Sequence, residues 1–518
     1  VTLMVKNCFP HQITIPRGEV VGQWEPIEEG GATQLDLKKF INQVNFKKNF
    51  PAPLPKSKQN DFLKDLNLNV PVSEKQKYID LFLKNHDIFS RNKDDLGRAN
   101  NFEHEIHLKN KEPTFVKQFK IPEAHRDQLE AQIKEWQKIG VVEPTNSRYN
   151  SPIFVVPKKD GGIRFVLDYR SLNDNSYDDK YCMKDVSECI GDIGRSGSTI
   201  FSTMDLTSGF WQLPLKKEHQ KYTAFTCPGL GQFAFTVLSM GLKGGPGSFQ
   251  RMVELSVKDL ERIIVYIDDL LCHASSHEQH RKDLQELFHR LRNVNLKLNL
   301  KKCFFGSNNV SYLGYRLTPN GILPGSDKLK VVREATPPKT VTEVRQFLGL
   351  CNFFRSHVRN FAQISCPLNQ LTRKDTGWKG GELPKDAKNA FYELRSALIS
   401  EPVVAYPRKD RPYSLIVDAS TGGEGFEGGL GAILCQQDKG GNFHVIAYAS
   451  RGLQAHEKNY TPFLAEMMAC VWGMDHFDHY LRGKRFTVFT DHRPLEKLGK
   501  VHTKTLNRLQ QKMNEFNF

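Results

Sequence analysis

The chain of 518 residues has no Cys-x-x-Cys pair among its 10 cysteines, which argues against zinc ligation by them. The closest pairing is Cys182 with Cys189, and the trio His273, His277 and His280 lacks carboxylate or thiolate partners at ligand spacing, so both read as ordinary residues. No charged-then-apolar leader follows Val1 and no apolar run approaches ~20 residues, so neither a signal peptide nor a membrane span is expected. Reduced thiols in the cytosol are the matching expectation. Internal repeats are missing as well. Acid is in short supply: 73 Lys and Arg face 58 Asp and Glu, for a net charge of +15, and the surplus is spread along the chain instead of forming one tail. That balance favours a polyanionic partner without naming a reaction. The length exceeds what one core sustains, and about 150 residues per domain suggests three or four units.

What is present sorts into blocks. Residues 1 to 100 mix short strand-like pieces, Gln12 to Pro16 and Glu19 to Val21, with a Lys-, Asn- and Pro-rich stretch from Lys47 to Asn69 that reads as a linker. An amphipathic helix is predicted over Glu123 to Ile139. Strands follow over Ile153 to Pro157 and Arg164 to Tyr169, joined by the turn Lys159-Asp160-Gly161-Gly162. A Pro- and Gly-rich break falls at Thr318 to Thr340, after which Thr340-Val-Thr-Glu343 is a capping box opening a helix to about His357. Another break covers Thr372 to Pro384. Beyond Pro412 the order is β-β-β-α-β-α: strands at Tyr413 to Val417, Gly429 to Cys435 and His444 to Tyr448, a helix at Phe463 to Tyr480, a strand at Arg485 to Thr490 and a last helix.

Tyr266-Ile-Asp268-Asp269 lies between the apolar runs Ile263 to Val265 and Leu270 to Cys272, so its acids sit where a hairpin turns. Two acids at a turn are unremarkable alone. A third, Asp205, ends the strand-like run Ile200 to Met204. Hard divalent cations with oxygen ligands need carboxylates from converging strands, and two cations about 4 Å apart serve phosphoryl transfer to a sugar hydroxyl.

Four collinear segments carry a resemblance: Phe201-Ser-Thr-Met-Asp205-Leu-Thr-Ser-Gly-Phe210-Trp-Gln-Leu, Gly241-Leu-Lys-Gly-Gly-Pro246-Gly-Ser-Phe-Gln250, Tyr266-Ile-Asp-Asp269 and Tyr312-Leu-Gly-Tyr315. Together they resemble the motifs of gypsy-type LTR retrotransposon reverse transcriptases, over roughly residues 100 to 518. The resemblance implies an α+β fold, a right-hand polymerase of fingers, palm and thumb followed by an α/β ribonuclease H-like domain. The expected divisions are 1–100 as a post-protease segment and linker, 101–318 as fingers and palm, 319–405 as thumb or connection helices, and 406–518 as the ribonuclease H-like domain. It also implies that Asp205 and Asp268 bind both metals, with Asp269 in a less direct role, and that the ions are Mg2+, with Mn2+ as a substitute. Phe210 falls where the family places a bulky side chain beneath the sugar, which would select deoxynucleotides; a core aromatic is the competing reading. Arg164, with Lys158 or Lys159, matches the fingers residues that grip the triphosphate, and a solvated basic hairpin explains each lysine equally well. Met240, Gly241 and Lys243 fall in the nucleotide-contacting stretch, but Met240 stands where retroviral enzymes carry Gln and gypsy-type enzymes usually an aromatic. Gly244, Gly245 and Gly247 loosen the helix start that follows, and close backbone approach to the template is expected there. Tyr312, Leu313 and Gly314 would form the hairpin that positions the primer, although a buried strand with a glycine bulge fits the same letters. Lys302 matches a family motif too, a weak basis for proton donation.

Val417-Asp418-Ala-Ser420, Leu464-Ala-Glu466-Met and Thr490-Asp491-His492 resemble the first three acidic motifs of the ribonuclease H domain, which makes Asp418, Glu466 and Asp491 metal ligands by the same resemblance. The family's fourth Asp has no counterpart before Phe518, so hybrid binding with impaired RNA cleavage is expected. The loop Ser420 to Glu427 is longer than usual. Gln12 to Gly22 resembles the segment joining protease to polymerase, and a piece of a longer polyprotein is the reading of both chain ends. No Asp-Thr/Ser-Gly triad lies in that segment and no integrase zinc motif is present. Implied partners are RNA template, DNA primer/template, RNA–DNA hybrid, dNTPs and other Gag-Pol products, with a homodimer among the assemblies and a cytoplasmic virus-like particle as the setting. The competing reading is a catalytically decayed or co-opted nucleic-acid-binding remnant; telomerase-like and group II intron-type polymerases fit the trailing nuclease pattern less well.

Overall fold

In the computed structural model the described residues are 51–518, apart from 93, 158–161, 185, 423–427 and 492–503. The segment resembling the protease–polymerase junction and the turn carrying Lys158 and Lys159 lie outside them. In chain order come α1 (Lys56–Lys64), β1 (Asn67–Leu68), α2 (Val72–Lys84), α3 (Arg126–Lys138), β2 (Val142–Pro144), β3 (Ile153–Pro157), β4 (Ile163–Leu167), α4 (Arg170–Asp174), α5 (Val186–Ser196) and β5 (Ile200–Asp205). Next are β6 (Phe225–Cys227), β7 (Gly231–Phe235), α6 (Gly245–Ser256), β8 (Ile263–Tyr266), β9 (Asp269–Ala274), α7 (His277–Asn293) and β10 (Phe304–Ser307). A hairpin sheet, β11 (Val310–Tyr312), β12 (Tyr315–Thr318) and β13 (Gly321–Pro324), leads to α8 (Ser326–Glu334), α9 (Val341–Phe353), α10 (Phe361–Gln370) and α11 (Lys385–Ile399). The last block holds β14 (Tyr413–Ser420), β15 (Gly429–Gln437), β16 (Phe443–Gly452), α12 (Pro462–His476), α13 (Asp478–Leu481), β17 (Phe486–Phe489) and α14 (Lys504–Met513).

The central sheet has strand order β1-β10-β5-β9-β8, and the C-terminal sheet β16-β15-β14-β17. Apolar runs in β5, β8 and β9 are buried on both faces because α6 and α7 cover one face of the sheet and α5 with the β11–β13 hairpin sheet covers the other. The predicted C-terminal order is observed, with α12 laid on β14 and β15. Gly473 permits that approach: a Cβ there would lie 3.2 Å from Ala432 and 3.3 Å from Val417. Two bonds tie this block to the helices before it, Arg355 Nη2 donating to the Ser450 carbonyl at 2.6 Å and Ala362 N to Ser450 Oγ at 2.9 Å.

Three sequence expectations differ from the structure. The stretch read as a linker forms α1 and β1, and Asn67 and Leu68 pair in parallel with Phe304 and Phe305 of β10. Its polar composition concealed this because α1 buries no side chain and β1 is only two residues long. Behind the sheet, Phe82, Phe89, Phe288 and Phe305 interlock with ring centroids 4.5 to 6.2 Å apart, which makes α2 part of the core. Second, Thr318 to Thr340 contains β13 and α8, so the expected division at 318/319 falls inside a three-stranded sheet. Third, α9 stops at Phe353, a short 3-10 turn covering Arg355–His357. Its capping box is half as predicted: Thr340 Oγ1 accepts from Glu343 N, while Glu343 accepts from Lys339 N instead of the cap residue itself.

One polar node crosses the apolar core. His280 is fully buried, with Nδ1 2.8 Å from Tyr78 Oη and Nε2 3.1 Å from Ser202 Oγ, and Ser202 accepts from Gly306 N at 2.9 Å. Burial pushes its imidazole down to about 3. A histidine held neutral in the fold and free to protonate when unfolded contributes stability above pH ~6.5 that is lost as pH falls toward 3. Urea midpoints should therefore decline between pH 6.5 and 4, and His280→Gln should flatten that decline; equal slopes in both proteins would refute the assignment.

Candidate active site

β5 and β9 pair antiparallel in a register that sets Asp205 directly opposite Asp269, and β8 turns into β9 through Ile267 and Asp268. Ile267 has φ +55°, a costly conformation for a β-branched residue. Gln250 on α6 supports it. Its amide oxygen accepts from Ile267 N, and its nitrogen donates to the Val265 carbonyl at 3.0 Å and to Glu254 at 2.8 Å. Gln250 is 1 % exposed and belongs to the glycine-rich motif, so the sequence contained it, but only the packing of α6 under the hairpin reveals its task.

The backbone of Asp205 accepts from Asn299 N at 2.8 Å, and Asp268 O accepts from Leu206 N at 3.2 Å, locking both acids from the main chain. Burial raises the Asp205 pKa, the Lys302 ammonium 3.3 Å away pulls it down, and Asp268 adds to the rise. Asp269 is pushed up to about 6 by burial, with Asp268 and Asp205 reinforcing the shift. Carboxylates crowded in this way resist ionisation until a cation shares the space. Gly209 is the other residue the sequence did not flag. A Cβ there would stand 3.1 Å from Asp268 Cβ and 3.0 Å from the Phe249 ring, so a side chain would crowd this turn against the acid hairpin. Phe210 follows it, half-buried and edge-on to Phe249 at 5.3 Å. The turn therefore lies beside Asp268, and the Phe210 ring packs on Phe249 of the core.

Arg164 is exposed on β4, opposite Val156. Met240 is 60 % exposed, and Gly241 takes φ +94° beneath the Tyr169 ring. Asn173 clamps this segment from both sides, donating to Gly241 O at 2.8 Å and accepting from Lys243 N at 2.9 Å, which leaves the Lys243 side chain exposed. The glycines after it do other work than expected. A Cβ on Gly247 would meet Tyr181 at 3.1 Å and Asp179 at 3.2 Å, and one on Gly245 would meet Leu238 at 3.2 Å. At Gly245 and Gly247 the chain's own segments pack against the glycine. Tyr312 is buried at 5 %, its hydroxyl without a partner, whereas Leu313 (φ +49°) and Gly314 (φ +83°) form the turn.

The second acidic group is tighter. Among the described residues, Asp418, Glu466 and Asp491 are the three acids whose ligand oxygens all approach within 4.8 Å; Asp205, Asp268 and Asp269 are not drawn to that spacing. β14 and β17 run parallel with Ile416 beside Phe489, so both chains deliver their acids two residues later at one sheet end. Glu466 reaches them from α12. One of its oxygens accepts from Ala419 N at 3.1 Å, and the other is buried without a partner. Burial pushes Glu466 up to about 7, with Asp491 and Asp418 adding to the rise. A buried, unpartnered carboxylate oxygen facing two acids suits a divalent cation. The predicted ordinary histidines are so placed: Tyr78 Oη contacts both His277 and His280, and Ser196 and Ser198 contact His273. No helix among the described residues is long and apolar enough to cross a membrane.

Comparison with known proteins agrees with this geometry. Residues 156–317 match the family described as reverse transcriptase (RNA-dependent DNA polymerase), and residues 408–516 match the RNase H-like domain found in reverse transcriptase. The chain is 33% identical over 466 residues to the retrovirus-related Pol polyprotein from transposon 412 of Drosophila melanogaster, covering 88% of this chain and 37% of that protein. It is 29% identical to the Pol polyprotein from transposon gypsy of the same fly, over 82% of this chain and 42% of that one, and 29% identical to the transposon Tf2-3 polyprotein of Schizosaccharomyces pombe, over 78% and 30%. It thus spans well under half the length of these relatives. A solved foamy viral protease-reverse transcriptase in complex with double-stranded DNA superposes with a TM-score of 0.77 at 25% identity, over 91% of this chain and 82% of that one. Another, in complex with RNA/DNA hybrid, gives 0.72 at 24%, over 90% and 62%. The expected right-hand polymerase fold followed by an α/β nuclease-like domain is the fold observed, and such domains depend on divalent metal. With acids at paired strand ends in both blocks, the chain carries a reverse transcriptase domain followed by an RNase H-like domain, and its homologues are retrovirus-related Pol polyproteins of transposons such as 412 and gypsy.

Proposed function

We propose that the chain extends a DNA primer with deoxynucleoside triphosphates on RNA or DNA template, and that its C-terminal domain acts on the RNA of the resulting hybrid. The observation that carries this reading is Asp205 set opposite Asp269 with Asp268 on the adjoining turn. Asp205 and Asp268 would hold Mg2+, with Asp269 supporting them. Cations bound there supply charge neutralisation of the phosphates and activation of the attacking hydroxyl. The chain's own groups do the placing: Gln250 holds the hairpin in its strained turn, and Gly209 brings Phe210 alongside Asp268, where its ring would meet a ribose 2′-hydroxyl. Arg164, with Lys158 or Lys159, would take the triphosphate, while Met240, Gly241 and Lys243 are presented towards nucleotide by the Asn173 clamp. Asp418, Glu466 and Asp491 would form the cation site of the second domain. A cytoplasmic virus-like particle, and association with other Pol products or a second copy, belong to the same proposal.

Primer extension on poly(rA)·oligo(dT) should fall by about 1000-fold or more in Asp268→Asn, since several kcal/mol of charge stabilisation disappear, while template affinity persists. Retained extension would sink the metal assignment. In Phe210→Val, ribonucleotide use relative to deoxynucleotide should rise by roughly 10- to 100-fold in a single-nucleotide competition assay, the range one steric contact commands; no rise would return Phe210 to the core alone. Glu466→Gln should reduce the number of Mn2+ ions bound, read from the electron paramagnetic resonance of the free ion, and an unaltered count would remove Glu466 from the ligand set.

A further inference from the structure

Beside the Leu313–Gly314 turn stands an ammonium with no acid to balance it. Lys328, on the first turn of α8, has Nζ 2.9 Å from the Phe353 ring centroid and 5.6 Å from that of Phe354. A Cβ placed on Gly314 would lie 2.8 Å from the same nitrogen, so the amine sits against the turn itself. Among the described residues it has neither a carboxylate partner nor a hydrogen bond, and burial alone lowers its pKa, with no charged neighbour contributing. The surroundings are rigid. Gly325 N donates to Gly314 O at 3.0 Å, joining the start of α8 to the turn. Phe353 stacks on Tyr315 at 5.1 Å and 26°, Tyr315 Oη donates to the Phe353 carbonyl at 3.2 Å, and His357 stacks on the far face of the group at 5.7 Å from Tyr315.

A partly desolvated lysine stacked on an aromatic ring forfeits hydration and gains only part of it back from the ring. Lys302 and Arg355, by contrast, are satisfied by the Asp205 carboxylate and the Ser450 carbonyl. Here the ammonium, with N–H donors to spare, lies against the hairpin turn in a chain of net charge +15. A phosphodiester is the anion that would complete it.

We propose that Lys328 binds a backbone phosphate of the primer strand near its 3′ end, with Phe353 and Gly314 fixing the direction from which that phosphate arrives. The proposal rests on the polymerase reading and adds to it a residue on the helix beyond the hairpin, so that α8 and the turn hold the strand as one unit. Lys328 is a binding residue in this scheme, and Phe353 a positioning residue acting through it.

The test is equilibrium binding of primer–template duplex to the full chain as a function of salt. Each phosphate that the protein no longer neutralises lowers the slope of log Kd against log salt by about 0.9. Lys328→Met, which keeps the packed stem, should lower the slope by about one and weaken binding about 5- to 10-fold at low salt, and Lys328→Arg should restore both. In turnover, the KM for primer–template should rise by more than kcat falls. An unchanged slope in Lys328→Met would overturn the proposal and leave the lysine as an aromatic staple. If that variant does not fold, acylation of Lys328 in the wild-type protein, read by mass spectrometry, decides: duplex should slow it whereas dNTP alone should not, and equal rates with and without duplex overturn the proposal. Both binding readouts are independent of catalysis, so a wild-type chain that binds through Lys328 yet extends no primer would refute the polymerase reading alone.

Discussion

Carboxylates at the ends of paired strands repel one another, and the register of β5 against β9 holds Asp205 and Asp269 face to face regardless. A one-residue slip would turn every side chain of β5 to the opposite face, so the buried pattern of that strand and the position of its acid are one constraint. Much of the neighbourhood serves it. Gln250 stabilises a left-handed Ile267 that would otherwise relax, Gly209 allows a second turn to lie on Asp268, and Lys302 supplies positive charge beside Asp205. Burial is the main cause of the raised pKa values of Asp205 and Asp269, and the repulsion between the acids adds to it.

The C-terminal block solves the same problem differently. Parallel β14 and β17 bring Asp418 and Asp491 to one end of the sheet, and a glycine in α12 lets that helix settle close enough for Glu466 to join them. Here the acids are closer and one oxygen is left buried with nothing to bond, a cost of the order of 1–3 kcal/mol that a cation would offset. Between the two blocks, Ser450 on β16 receives bonds from Arg355 and Ala362, coupling the nuclease-like sheet to the helices that follow the hairpin sheet.

Legibility in the sequence followed the range of the interaction. Turn residues, alternation and helix periodicity are local, so the strands around Asp205 and Asp268, the α3 helix, the Thr340 cap and the β-β-β-α-β-α order could be read with few errors. Pairings between distant segments could not. The polar stretch before Asn69 reads as a linker because its strand pairs with β10, far along the chain and invisible to any local window. Likewise the glycines opening α6 suggested close backbone approach to template, and the packing of the segment around Asp179 and Tyr181 against Gly247 could not be read from them. Tyr312 shows the limit from the other side: its neighbours make the turn, and its own ring is core.

By itself the sequence determined which acids, which turns and which order of elements exist, because each of these depends on residues within a few positions of one another. Only the tertiary structure decided how far those acids stand apart, which buried amide carries the strained hairpin, and which lysine is left without a counter-charge beside the Leu313–Gly314 turn. These are outcomes of packing between segments, where distance, burial and partnering are set by the whole fold.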